Sequence, residues 1–360
     1  MGMISPYLAR LRNVSLDTTG RAVASLSALN AIGGICGTFC VGFIFFGCVG
    51  SRQTLLVIAT LLAGTSWLIS PRRFALLRLG VTSAALLLAL VQWLPWHGTG
   101  IIEIDTPTSH YRVVDAKTAQ GKPVRLLVTG PTGGQSGIYP GRPDELVFPY
   151  LRQMATIAKH HPHPANILVL GGGAFTLPQH LALQYPGAHI DVVEIDPQLV
   201  RIAKQHFEYR DHPNLTLIAK DARTYINEHR QKYDIIAMDV YNELSIPFPV
   251  ATSEYMHELS ASLQPGGIVM ANVIGSRRPA CVPLLGDLHA TFMSAFRQYR
   301  VFPQKDPNLH QFQNIIMVYA NTPLDYLKDT PAARRALPTG DTILTDNFAP
   351  TERLQELCRV

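Results

Sequence analysis

Four places in this sequence carry residue types that together could hold a nucleoside and move a proton. Gly171-Gly172-Gly173 is a run without side chains, where a ligand can approach the backbone closely. Glu194 follows Gly171 by 23 residues, and a carboxylate at that spacing can accept from both hydroxyls of a ribose. Asp221-Ala222 supplies an acceptor for an adenine amino group. Asp239 supplies a carboxylate where a reacting group would sit, able to act as a general base. Each has a plainer reading. A glycine run is often only a tight turn, Glu194 a helix N-terminal acid, Asp221 an N-cap, and Asp239 a loop-capping acid.

The elements that must position these residues favour the chemical reading. Asn166–Leu170 is short and nearly all apolar, as expected of a parallel strand buried on both faces. Residues 189–193 form a second expected strand that ends at Glu194. Leu215–Ala219 is a third, ending at Asp221, and Tyr233–Met238 a fourth, ending at Asp239. Helices are expected after Gly173, over 197–207 with Pro197 at the start, and over 253–263. The turn Gln264-Pro265-Gly266-Gly267 leads to a fifth strand at 268–273, and 314–319 is a late strand. This alternation predicts a doubly wound parallel sheet, Rossmann-like and of the S-adenosylmethionine-dependent methyltransferase type. In such sheets ligands bind outside the carboxyl ends of the strands, where the glycines and all three acids fall. A dinucleotide is the competing adenosine ligand. Thr176 stands where the third glycine of G-x-G-x-x-G belongs, and the acids after strands three and four suit an S-adenosyl sulfonium better.

Upstream, 111–114 and 124–128 flank the turn Ala119-Gln120-Gly121-Lys122 as a plausible hairpin. Residues 130–137 are rich in glycine and suit a mobile lid or a phosphate loop. The stretch 241–250, with two prolines, suits a gate over the site. His160, His161 and His163 sit among prolines with no acid nearby, which favours a solvated linker over a metal site. The five cysteines show no paired spacing, so neither a disulfide framework nor a zinc site is expected.

The first hundred residues differ in kind. Segments 22–50 and 53–70 carry no charge apart from Arg52 between them, and 79–96 is similar. All three are candidate membrane spans, with Trp67, Trp93 and Trp96 near their ends and glycines suited to close helix packing in lipid. Seven of the chain's 31 basic side chains (Arg10, Arg12, Arg21, Arg52, Arg72, Arg73, Arg78) lie here against one of its 26 acids, Asp17. The basic excess is thus confined to this region and argues against a nucleic-acid partner. The distribution of arginines puts the N-terminus in the cytoplasm. With three full spans the long C-terminal part then lies outside, whereas a cytosolic metabolite as substrate requires it inside; the two readings conflict. The expected organisation is a transmembrane region at 1–98, a small β region at 99–150, a catalytic domain at 151–325 and a C-terminal tail at 326–360.

Several of these runs, with their neighbours, resemble a known family. Gly171-Gly172-Gly173, Val193-Glu194-Ile195-Asp196-Pro197, Lys220-Asp221-Ala222-Arg223 and Tyr233-Asp234-Ile235-Ile236-Ala237-Met238-Asp239 look like the spermidine/spermine synthase (polyamine aminopropyltransferase) family. Ser245-Ile246-Pro247-Phe248, Thr252-Ser253-Glu254-Tyr255 and the tail from Leu344 to Glu352 resemble its membrane-fused branch. The resemblance implies aminopropyl transfer from decarboxylated S-adenosylmethionine to an amine such as putrescine, with no metal. By position, it implies that Gln135, Gly171, Gly172, Gly173, Glu194, Asp221 and Ala222 bind the nucleoside. Asp239 would be the catalytic acid, and Tyr241, Asn242 and Glu243 would line the acceptor. The implied setting is the inner membrane, multi-pass, with a homodimer or a second membrane subunit left open.

Three places depart from the family. Ala174 stands where an Asp follows the glycines, Asn242 replaces a second Asp, and Phe148-Pro149-Tyr150 replaces a Tyr-His-Glu segment. These departures leave two other readings open: an S-adenosylmethionine-dependent methyltransferase, and a non-catalytic nucleoside-binding membrane sensor.

Overall fold

The structure is a computed structural model that describes residues 19–69, 75–76, 79–80, 82–84, 87, 100–130, 133–241, 245–332 and 336–359. The chain divides into two compact units, an N-terminal helical one and a larger one that holds the sheets.

The helical unit runs as α1 (Thr19–Phe39), a π-helical stretch (Cys40–Phe45) and α2 (Phe46–Ile69). Helix is continuous through Arg52, so the expected break between the first two spans is absent. No proline interrupts that stretch, and nothing else there breaks the backbone ladder. Hydroxyls within it bond back to their own turns, Thr38 Oγ1 to the Gly34 carbonyl at 2.9 Å and Thr60 Oγ1 to that of Leu56 at 2.7 Å, leaving them satisfied without water. Among the described residues one helical stretch, Val23–Phe45, is long and apolar enough to cross a bilayer. The apolar part of α2, Gln53–Thr65, is too short. Among the described residues the expected three spans are therefore reduced to one candidate, and most of the third segment lies outside those residues.

The larger unit begins with β1 (Ile101–Asp105), β2 (His110–Lys117), β3 (Pro123–Gly130) and β4 (Gly133–Ile138), joined in that order into one sheet. The expected hairpin is β2–β3, with Val113 opposite Leu127, but it belongs to a four-stranded sheet. The glycine-rich stretch expected as a lid is largely strand β4. There a Cβ on Gly137 would run into the Arg125 carbonyl at 2.6 Å, so the glycine is what allows the strands to approach.

The second sheet holds β5 (Asn166–Leu170), β6 (His189–Glu194), β7 (Leu215–Ala219), β8 (Tyr233–Met238), β9 (Leu263–Gly275), β10 (Gln298–Pro303) and β11 (Gln313–Ala320). Their order is β10-β11-β9-β8-β5-β6-β7. The five strands β9, β8, β5, β6 and β7 are parallel neighbours. Strand β11 runs antiparallel to both β9 and β10, so the expected all-parallel sheet is corrected to a mixed one.

Helices cover both faces. On one lie α3 (Pro149–His160), α4 (Thr176–Gln184) and α5 (Gln198–His206), and on the other α6 (Ala222–Glu228), α7 (Ser253–Ala261) and α8 (Val282–Met293). Strand alternation divides the core accordingly. Ile167 and Val169 of β5 pack with Met154, Leu181 and Ile202, whereas Leu168 and Leu170 pack with Tyr225, Tyr255 and Leu285. A strand buried on both faces must read as a continuous apolar run, and each such side chain taken from water contributes about 1.5–3 kcal/mol.

The chain closes with α9 (Thr351–Arg359). Cys358 of α9 is joined by a disulfide to Cys281, 77 residues earlier, and both are fully buried. This corrects the expectation drawn from cysteine spacing: the bond is made by tertiary packing of α9 beside the start of α8, which local spacing does not encode. His161 is also corrected. It is buried, not solvated, with its ring edge-on to Tyr326.

Candidate active site

The glycine run leaves β5 and touches two strand ends at once. Gly171 has φ +91°, a left-handed conformation that favours glycine, and a Cβ there would collide with the carbonyl oxygen of Asp239. Its N–H donates to the Val193 carbonyl at 2.9 Å. One residue on, Gly172 N–H donates to Oε2 of Glu194 at 2.8 Å. Gly173 is also left-handed, with Ser136 of β4 as its nearest neighbour. Phe175, at φ 59°, turns the chain into α4. Ala174 between them is buried, so no carboxylate projects from that position.

Glu194 is held from two sides, because Asp196 N–H also donates to its Oε1 at 3.0 Å. Burial pushes its proton affinity above the usual carboxylate range, while these backbone donors pull it back. Asp221 lies one residue beyond Lys220, whose N–H meets the Glu194 carbonyl at 3.0 Å. Its carboxylate caps α6, accepting from Thr224 N–H at 2.9 Å and Thr224 Oγ1 at 3.1 Å. Ala222 is buried behind it.

Asp239 ends β8 with its carboxylate turned inward. Oδ2 accepts from the Tyr150 hydroxyl of α3 at 3.0 Å, and Oδ1 accepts from Nδ2 of Asn272 of β9 at 2.9 Å. Burial raises its pKa; the bonds from Asn272 and Tyr150 oppose that rise. The Tyr150 hydroxyl also lies 3.3 Å from the main-chain oxygen of Gln135, which brings β4 to the same place. Tyr241 accepts from Ile274 N–H at 3.0 Å and donates to the Asn272 carbonyl at 2.9 Å. Asn242 and Glu243 lie outside the described residues.

The structure thus brings the glycine run, Glu194, Asp239 and the Gln135 backbone together, with Tyr241 packed beside Asp239's partner Asn272. Asp221 is reached through the backbone next to Glu194, and its side chain is engaged as an N-cap.

Sequence reasoning missed Asn272 and counted Tyr150 only as part of a lost segment. A signal for Asn272 was present: it is the one polar side chain in an otherwise apolar expected strand, and a buried amide needs a partner.

The signature motifs also acquire a physical role. Arg223 binds Asp346 through both oxygens, at 2.7 and 2.6 Å, and the Pro249 carbonyl at 2.7 Å. Ser253 N–H donates to the Leu344 carbonyl at 2.8 Å, and Phe248 N–H to Glu352 at 3.3 Å. The C-terminal tail therefore straps down the segment that follows Asp239.

A mixed seven-stranded sheet with antiparallel β11, and acids at the carboxyl ends of its parallel strands, defines a Rossmann-like fold of the S-adenosylmethionine-dependent methyltransferase type. Residues 147–276 match the family model for the spermine/spermidine synthase domain.

A polyamine aminopropyltransferase of Vibrio vulnificus is 33% identical over 168 residues, covering 45% of this chain and 54% of the relative. Polyamine aminopropyltransferase 1 of Streptomyces coelicolor is 25% identical over 289 residues, covering 72% and 53%. The chain spans about half the length of these two curated relatives. A "probable spermidine synthase" of Corynebacterium glutamicum has the same fold, with a TM-score of 0.54 at 24% identity, covering 65% of this chain and 94% of that one. The family match begins after the helical region, so the membrane-fused branch rests on the motifs alone.

Proposed function

We propose that the protein is a membrane-attached aminopropyltransferase that uses decarboxylated S-adenosylmethionine and an amine of the putrescine type. The observation that carries this reading is the pair of engaged carboxylates flanking one glycine turn, Glu194 on Gly172 and Asp239 beside Gly171. Glu194 is already aligned by backbone N–H groups and keeps lone pairs for ribose hydroxyls. Asp239 lies where the acceptor's nitrogen would meet the donor's side chain.

An amine with pKa about 10 is protonated at neutral pH and cannot attack. Asp239, with its raised proton affinity, accepts that proton. The freed lone pair attacks the methylene beside the sulfonium, the carbon–sulfur bond breaks, and its electron pair stays on sulfur as a neutral thioether. Since the leaving group is good, the chain's task is alignment, which can supply up to about 7–11 kcal/mol. Val23–Phe45 serves as the membrane anchor.

Methyl transfer from intact S-adenosylmethionine is a second reading, favoured by one observation. Ala174 is buried and uncharged, so nothing there repels the donor's own carboxylate.

Incubating the purified protein with each donor and a panel of amines, with products read by mass spectrometry, tests both. Methylthioadenosine plus an aminopropylated amine supports the first reading. S-adenosylhomocysteine plus a methylated product replaces it with the second. Binding of both nucleosides without any product supports a sensor instead.

A further inference from the structure

We propose that Asn314 is a positioning residue which, through Asn272, fixes the side-chain orientation that the site presents to Asp239. Asn314 Nδ2 donates to Asn272 Oδ1 at 3.1 Å, and Asn272 Nδ2 donates to Asp239 Oδ1 at 2.9 Å. The strands supply the geometry. In the antiparallel β9–β11 pair Asn272 lies opposite Ile316, so Asn314 is its diagonal neighbour on the same face.

The relay has a direction that chemistry imposes. An amide can turn over at little cost, exchanging its oxygen and its NH2. An ionised carboxylate only accepts, so Asn272 must offer NH2 to Asp239, which leaves its oxygen pointing back toward β11. A donor must meet that oxygen, and Asn314 is that donor. If the amide turned over, an oxygen would face the carboxylate and disfavour its ionised form.

The titratable groups facing Asp239 among the described residues are the Tyr150 phenol of α3 and the Tyr241 phenol that follows β8. Both have pKa values raised by burial. Neither changes charge over the range in which a carboxylate titrates, so the amide pair is the adjustable part of this surrounding.

The proposal uses the Asp239 carboxylate of the preceding section. Its test reads that carboxylate with no donor, acceptor or turnover present, so it stands or fails apart from the aminopropyl-transfer reading. The full chain is labelled with ¹³C at the aspartate carboxyls, and the Asp239 signal is identified by its loss in Asp239→Asn. Two isosteric variants follow: Asn314→Leu, which removes the donor, and Asn314→Asp, which puts acceptors in its place.

We expect the Asp239 midpoint to move to higher pH in Asn314→Leu and further in Asn314→Asp, with the remaining aspartate signals unmoved. In whichever transfer the protein performs, kcat in Asn314→Leu falls about tenfold or more with donor KM unchanged. A midpoint in folded Asn314→Leu equal to that of the parent overturns the relay. Should neither variant fold, ¹⁵N side-chain signals of the parent decide. Two asparagine amides moving together through the Asp239 titration support the relay, and one or none overturns it.

Discussion

Tyr150 donates its phenolic proton to Oδ2 of Asp239 at 3.0 Å across 89 residues of sequence. The bond joins the first helix of the larger unit to the end of β8. It also favours the ionised carboxylate, against burial that disfavours it. Tyr150→Phe removes this donor and changes little else in volume. The expected result is an acid limb of kcat/KM displaced to higher pH, with kcat at neutral pH lowered about tenfold or more. A pH–rate profile of the two proteins checks it, and superimposable profiles would exclude Tyr150 from the mechanism.

Asp239→Asn should abolish proton acceptance yet raise stability. The pKa of Asp239 in the fold is raised, so between its unfolded and folded values the native state binds more protons than the unfolded one. Stability then falls as pH rises through that window. Asparagine removes the penalty above the window and changes nothing below it. Thermal melts should show the variant more stable at pH 7, by about 1 kcal/mol, with the gain vanishing in acid. A variant less stable at pH 7 would mean that the carboxylate is better compensated than its surroundings suggest.

How much of this was legible beforehand follows from what each residue needs. Strands β5, β6 and β8 announce themselves because burial on both faces demands largely apolar runs, and the edge strand β7 by its short Leu-Thr-Leu-Ile-Ala run; Glu194, Asp221 and Asp239 follow from where those runs stop. The reversed direction of β11 was not legible, because 313–320 reads the same in either direction. Nor was the Tyr150–Asp239 bond, since it depends on how α3 is set against the sheet. The continuity of helix past Arg52 went unread because a charge between apolar runs resembles a loop when no turn residue is demanded. The Cys281–Cys358 bond joins an interior position to the C-terminal helix, a pairing set only by the folded tail.

Gly171 offers a test of the turn itself. Its φ of +91° disfavours any side chain, and a Cβ would meet the backbone oxygen of Asp239, which no rotamer can move aside. Gly171→Ala should therefore separate the ends of β5 and β8 and cost more than about 2 kcal/mol. Nucleoside binding should weaken with it, because Gly172 loses its place on Glu194. Thermal denaturation and equilibrium binding of methylthioadenosine measure the two effects. Unchanged affinity in a destabilised protein would detach the turn from the ligand site.

The disulfide bears on the segment that follows Asp239. Cys358 anchors α9 to Cys281, and at the start of α9 Glu352 accepts from Phe248 N–H in the segment following Asp239. Closing a loop of 77 residues restricts the unfolded chain enough to contribute about 4 kcal/mol by loop entropy. Cys281→Ala and Cys358→Ala should each lower the melting temperature, and the double variant should lower it no further than either alone, because one bond is lost in all three. Dithiothreitol should reproduce the loss in the parent protein and have no effect on the variants. Because the tail also straps the segment that follows Asp239, donor KM should rise in the reduced parent before the fold is lost. Counting free thiols in the unfolded, unreduced protein is the decisive control: three mean that the bond is present, and five remove the basis of the prediction.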